Sequence, residues 1–478
     1  MKDTSQKMTN YRWVICAMLF FATMINYMDR QVLSLTWKDF IAPEFHWTND
    51  DYGNITSLFS LFYAVCMLFA GRFVDWMDTK KGFLWAIGVW SLGACLHAFC
   101  GIATSGLTAG IWNVGFEGAR ETINTVGDIG MVVNISVTLF IFARFVLALG
   151  EAGNFPAAIK ATAEYYPKKD RAYATSIFNA GSTIGALAAP LSIPYIAKLY
   201  GWEMSFIIIG ALGFIWMGFW IFIYKKPEKN PKVNPAELEY ILSDKDCETT
   251  VSEKEKVSFL KCFKYKQTWA FAFGKFMTDG VWWFYLFWMP AYLSDVYGFK
   301  SSDSQAQWAI FVIYAIVMLS LYGGKLPSII IQKTGKNPYA ARMQAMLIFA
   351  FFPLLALLAQ PLGHISYWFP VIIIGIAGAA HQSWSANMFS TVGDMFPKKA
   401  IATITGIGGM LGGLGSVLIN KGSGLLFDYS ANTQMELLGF KGISAGYFII
   451  FCICAVSYLI GWAIMKSLVP RYKLITDL

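Results

Sequence analysis

Apolar runs recur along the chain, divided by short polar segments. They fall near 12–40, 52–75, 83–102, 133–156, 172–196, 204–224, 268–293, 307–331, 342–360, 366–391, 401–420 and 445–466. About 20 apolar residues in a helix cross the hydrocarbon core of a bilayer. Twelve such runs predict an all-α polytopic membrane protein with twelve transmembrane helices. The polar stretch 225–266 splits them six and six. It therefore predicts an N-terminal half 1–224, a cytoplasmic linker 225–266 and a C-terminal half 267–478. Within the linker, AELEYILSD reads as a short surface helix. AEYYPKKDRAYATSIFNAG after the fourth run matches GDMFPKKAIATITGIGG after the tenth at an offset of 230 residues. A repeat at equivalent places in both halves points to duplication and pseudo-symmetry. Residues 103–131 are too polar to span, and 421–444 read as a second long external loop.

Composition agrees with this pattern. Charged residues make up 14% of the chain, against about 25% in soluble domains. The net charge of +8 does not mark a nucleic-acid binder, because the basic residues flank the apolar runs. Loops on one side of the predicted membrane hold 28 Lys and Arg, and those on the other side hold 5. Both termini are thus expected in the cytoplasm. The first run continues past Arg30 without a small-residue cleavage site, so it reads as a retained span. The eight cysteines form no CxxC pair, and the four histidines have no metal-ligand spacing. No nucleophile–base pair, metal cluster or nucleotide motif is visible, so an enzyme, a bound cofactor and an ATP-driven pump are not expected.

Candidate chemistry lies in charges inside the runs. Asp29, Arg30, Arg144, Glu151, Lys275 and Asp279 all fall within predicted spans. Charges there must face a protein interior or an aqueous cavity and find partners. The four in the first half sum to zero. Pairing Asp29 with Arg144 is the economical scheme; it leaves Arg30 to bind an anion and Glu151 deeper along the path. A purely structural ion cluster is the alternative. Lys275 and Asp279 are spaced i,i+4 and can pair on one helix face. Trp282, Trp283 and Tyr285 offer ring faces and polar edges to a hydroxylated ring, or simply pack. His381, Gln382, Ser383, Trp384, Ser385, Asn387 and Ser390 make the tenth run unusually polar, suited to a polyol or to helix–helix hydrogen bonds. Tyr63 is a donor near Arg30. The glycine-dense stretches 180–190 and 406–418 suit tight helix packing rather than phosphate binding.

The loop GRFVDWMDTKKG, with Gly71, Asp75, Lys80 and Lys81, resembles the signature loop of major facilitator transporters. It departs at Asp78, where that family often has Gly, and at Trp76, where a basic residue is common. Glu164 and Arg171 fit the family's Glu-x6-Arg motif. The resemblance implies that Gly71, Asp75, Lys80, Glu164 and Arg171 latch the cytoplasmic helix ends. NYMDR on the first run and RFVLALGEAGNFPA on the fourth resemble the anion:cation symporter branch, and the whole chain is most similar to bacterial hexuronate permeases. By that resemblance Arg30 binds the sugar carboxylate, with Asn26, Tyr27 and Tyr63 nearby, and Asp29, Arg144 and Glu151 couple protons. The residues of the seventh and tenth runs, Trp283, Tyr285, His381, Gln382, Trp384 and Asn387, carry over only loosely. A glutamine that binds sugar hydroxyls in some relatives is Ser182 here, and a site asparagine of the eleventh span is replaced within GIGGMLG.

The resulting expectation is a proton-coupled symporter that imports a small sugar acid, first of all a hexuronate. It would act as a monomer in a bacterial inner membrane. Other organic anions or phosphate, sodium coupling, exchange, and a transporter-like sensor are the alternatives.

Overall fold

The computed structural model describes residues 7–243 and 259–476. Cys247 and part of the predicted linker lie outside them. The longest helices are α1 (Arg12–Thr36), α2 (Asn49–Met77), α3 (Thr79–Ala98), α4 (Ile129–Glu151), α5 (Lys168–Tyr200), α6 (Trp202–Ile223), α7 (Lys266–Tyr297), α8 (Ser304–Val317), α9 (Pro338–Phe351), α10 (Trp368–Met395), α11 (Lys398–Asn432) and α12 (Ile443–Leu468). Among the described residues, seven helical segments are long and apolar enough to cross a bilayer, or eight if a bent pair counts as one. α1 and α10 fall short because they carry Asp29 and Arg30 and the polar 381–390 stretch, and α7 because its Trp, Tyr and Pro residues join Lys275 and Asp279 in lowering its hydropathy.

Several runs are less continuous than the sequence suggests. α3 ends at Ala98 and the chain turns by 51° into a helix at Cys100–Ala109. α8 stops at Val317, and the rest of that run continues as short helices at Ser320–Gly323 and Leu326–Thr334. Gly323, Gly324 and Pro327 fall at these breaks. After α9 the chain tightens to a 3₁₀ segment, Phe352–Leu358, where Pro353 removes a backbone donor. The external loop expected at 421–444 is helical as far as Asn432. It then forms a small hairpin, Glu436–Leu437 against Phe440–Lys441.

The internal repeat has a structural counterpart. Pro167 and Pro397, 230 residues apart in sequence, each precede a long helix, with φ −63° and −64°. Packing repeats too. α1 lies against α5 and α6 as α7 lies against α11 and α12. α3 lies against α4 and α6 as α9 lies against α10 and α12. α2 crosses to α11, and α8 crosses to α5. Small residues set the close approaches: a Cβ on Gly415 would collide with the Phe276 backbone, and one on Gly412 with the Asp279 carboxylate.

One end of the bundle is fastened across the two sets of helices. Lys38 pairs with Asp295 at 2.7 Å, and Lys421 with Asp50 at 2.5 Å. Asp39 accepts from Ser294 at 2.9 Å and from the Ser301 backbone at 2.6 Å. Asp428 on α11 accepts from the Asn49 and Asp50 backbone N–H groups at 3.1 and 2.6 Å, so a carboxylate of α11 caps the α2 N-terminus. Trp37 stacks on Tyr52, whose hydroxyl donates to the Phe287 carbonyl. We call this the clamp end. The opposite end is the linker end. There the Pro235–Leu242 helix presents Glu237, fully buried, to the Tyr11 and Arg12 N–H groups and the Arg12 guanidinium. The short helix expected in the linker exists, but it caps α1 rather than lying free on the surface.

Candidate functional site

α1 carries the centre of the site. Its apolar neighbours pack against α5 and α6, which turns Asn26, Asp29 and Arg30 into the bundle, where all three are buried. The Arg30 guanidinium donates through Nη2 and Nε to a single oxygen of Glu151 on α4, at 2.7 and 3.1 Å. Three rings surround the same guanidinium: Tyr27 at 5.3 Å, Tyr63 at 4.7 Å and Trp283 at 5.0 Å. Trp283 comes from α7, so the two halves meet over one cation. A guanidinium is planar and delocalised, and it stacks on aromatic faces while still offering donors at its edge.

The pairing scheme expected from the sequence is therefore corrected. Arg30 is not the uncommitted cation, because Glu151 holds it. Asp29 and Arg144 do not close a hydrogen-bonded pair: both Asp29 oxygens, and Nε and Nη1 of Arg144, are buried without a hydrogen-bond partner. Arg144 instead lies 5.0 Å over the Phe59 ring. Opposite charges on neighbouring helices pair according to how each helix is rotated, and the composition of the runs does not encode that rotation.

Unpartnered polar atoms gather around this centre. Both amide atoms of Asn26 and of Asn154, and Oε1 of Glu151, join Asp29 and Arg144 in lacking partners. Buried polar atoms are normally satisfied, which sets this cluster apart. Asn154 was missed in the sequence; its only signal was an amide three residues after Glu151 at the end of an apolar run.

The C-terminal candidates separate into two groups. Trp283 reaches Arg30. Gln382 shares with Tyr27, Ser182, Trp282 and Tyr314 the wall of a cavity of about 240 Å³ between α1, α5, α7, α8 and α10. The others turn into their own half. His381 bonds the Tyr458 hydroxyl at 2.7 Å and stacks on Trp282. Trp384 packs edge-on to Tyr458. Asn387 donates to the Ser383 carbonyl of its own helix. Tyr285 is buried, with its hydroxyl unpartnered.

At the linker end, the described latch side chains bond to groups near helix ends. Glu164 accepts from Thr79 at 2.6 Å and from the Tyr224 hydroxyl. Lys80 donates to the Ile221 carbonyl, and Arg171 to the carbonyls of Tyr166 and Ala163. Gly71 meets open space, and the side chain of Asp75 lies outside the described residues. Asp78 caps α3 through the Thr79 N–H and pairs with Lys226 at 3.2 Å. Partial burial pushes its carboxyl up, but those two partners outweigh it and hold it below the usual range.

The family described as Major Facilitator Superfamily matches residues 19–419. The hexuronate transporter of Escherichia coli K12 is 26% identical over 470 residues, covering 97% of this chain and 96% of that protein. The galacturonate transporter of Dickeya chrysanthemi is 26% identical over 297 residues, covering 62% and 76%. Among solved structures, an inward-facing, occupied bacterial homolog of the human lysosomal transporter Spinster superposes with a TM-score of 0.68 at 17% identity, over 96% of this chain and 97% of that one. A D-xylose-proton symporter gives 0.67 at 15% identity, over 97% and 100%. These two likenesses establish the fold.

Proposed function

The chain belongs to the major facilitator superfamily, and we propose that it is a proton-coupled symporter importing a small sugar-acid anion, a hexuronate first. That it is a membrane transporter rather than an enzyme follows from the family match. In the proposed reading its twelve helices form two six-helix halves, 1–224 and 267–478, joined by the linker 225–266. The termini and linker face the cytoplasm of a bacterial cell, and the clamp end faces outside. The site then opens inward in this state, and alternating access swings the halves about it.

The observation that carries the reading is the Arg30–Glu151 bond beneath Tyr27, Tyr63 and Trp283. A substrate carboxylate needs the face of Arg30 that Glu151 occupies. Glu151 gives it up when it takes a proton: the carboxylate becomes a neutral acid, and the incoming carboxylate replaces it on the guanidinium. One proton and one anion enter together, and the net charge of the site is unchanged. In this reading Asp29, whose oxygens have no hydrogen-bond partner one residue from Arg30, receives or passes on that proton.

The test is uptake into proteoliposomes under an imposed inward proton gradient. Wild type should accumulate labelled glucuronate or galacturonate. Glu151→Gln mimics the protonated acid, so it should still exchange substrate across the membrane but not concentrate it. Normal accumulation by Glu151→Gln would end the coupling role.

A further inference from the structure

α7 carries a second ion pair that the scheme above does not use. Lys275 Nζ lies 2.6 Å from Asp279 Oδ2, and both are largely buried, the Asp279 side chain keeping 14% exposure. Each partner is held in place. Asp279 backs onto Gly412 of α11, where even a methyl group would collide with it. The Lys275 ammonium sits 4.5 Å over the Phe389 ring of α10. Lys275, Asp279 and Trp283 follow one another at intervals of four, so they share one face of α7. Trp283 is the ring that covers Arg30 at 5.0 Å. The backbones of Asp279 and Trp283 are therefore about 6 Å apart along the α7 axis, a rise on the scale of a pyranose.

Resting on Arg30 as the carboxylate site, we propose that the closed Lys275–Asp279 pair receives the hydroxyl end of the substrate and excludes a second carboxylate, making the carrier selective for monocarboxylate sugar acids over aldarates. An ammonium carries three donors and a carboxylate accepts several bonds, so each partner keeps capacity beyond the bond between them. Vicinal hydroxyls both donate and accept, and they bind such a neutral pair without breaking it. A carboxylate at the same place meets Asp279, a like charge fixed by Gly412, and would have to pull Lys275 away from it. One end of the site then takes a charge and the other rejects one.

Competition against labelled galacturonate, on the full-length protein in lipid nanodiscs, tests this with galactarate and with galacturonate analogues each lacking one hydroxyl. Wild type should bind galacturonate about tenfold or more tightly than galactarate, and at least one deoxy analogue should lose about tenfold, the scale of a hydrogen bond to a charged group. Asp279→Asn keeps the shape and frees the ammonium, so the ratio should fall to about threefold or invert as galactarate gains. Equal affinity for the two acids in wild type, or an unchanged ratio in a folded Asp279→Asn protein, overturns the role of the pair alone. Should Asp279→Asn not fold, the wild-type series still decides, because undiminished binding of every deoxy analogue overturns it. Absence of binding by every acid overturns the carboxylate site and the role of the pair with it.

Discussion

Arg30 shows what a single side chain contributes here. Its guanidinium bonds one oxygen of Glu151 with two donors and lies among three rings. Lysine keeps the charge but has neither the planar fork nor the stacking face. Arg30→Lys should weaken substrate binding by about 1.5–3 kcal/mol, or roughly ten- to hundredfold, the worth of a lost charge-assisted bond. Isothermal titration on the purified variant reads this directly, and a change under threefold would remove the stacked fork from the argument. Asp78 makes the opposite point. Its φ of 69° and ψ of 151° lie where glycine belongs, at a strain of about 1–3 kcal/mol, which its cap and its exposed pair with Lys226 offset. Because its carboxyl is held below the ordinary 3.8, the stability it contributes is present above that value and is lost as pH falls through the lower folded one. Asp78→Gly should leave the melting temperature near neutral pH almost unchanged and flatten its fall below about pH 4; a steeper acid limb would contradict this.

At the scale of elements, much could be read in advance. The helices follow the apolar runs, and the duplicated Pro-Lys-Lys marks the start of α5 and α11 in both halves. Asp29, Arg30, Arg144 and Glu151 stood out because ions are costly in an apolar run. Their pairing did not, because Glu151 lies 121 residues from Arg30 and the choice depends on helix rotation. The segment 103–131 shows the same limit. In sequence, Arg120 is an ordinary loop charge. In the fold it bonds Glu44 and Glu203, both at 2.9 Å, while the Trp202 indole donates to Glu44 at 2.8 Å. Burial pushes the Glu44 carboxyl up despite the bonds from Trp202 and Arg120. Arg120→Met would leave two buried acids without their cation. Breaking a fully buried pair costs about 3–5 kcal/mol. Arg120 is 38% exposed on its side chain, so about 1–3 kcal/mol is expected, read as a lower melting temperature in detergent. The loss should grow as pH rises, because the ionised acids are the unfavourable form; a loss independent of pH would mean the acids stay neutral.

At the scale of the molecule, the proposed alternation makes the clamp the element that sets the balance between open and closed ends. Asp428 accepts three bonds there, from the Asn49 N–H, the Asn49 amide at 2.8 Å and the Asp50 N–H. None of this is legible locally, since Asp428 lies 379 residues from Asn49. These bonds join α2 to α11, and in the proposed alternating-access cycle they are lost when the clamp end opens. Asp428→Ala therefore removes stabilisation from one conformer alone, which is the condition for a population shift. Losing charge-assisted bonds worth about 1.5–3 kcal/mol multiplies the ratio of clamp-open to clamp-closed forms by roughly ten to a hundred. Spin labels at exposed Glu117 and Glu436, in a background freed of native cysteines, report this ratio as a distance distribution across the clamp end. Wild type without substrate should show one short distance, and Asp428→Ala a second, longer one. Because the variant favours a conformer without touching Arg30 or Glu151, substrate affinity measured from the clamp side should rise while concentrative uptake slows. If the two proteins give the same distribution, the closure is carried by Lys38–Asp295 and Lys421–Asp50 instead, and the double variant lacking both pairs should then produce the longer distance.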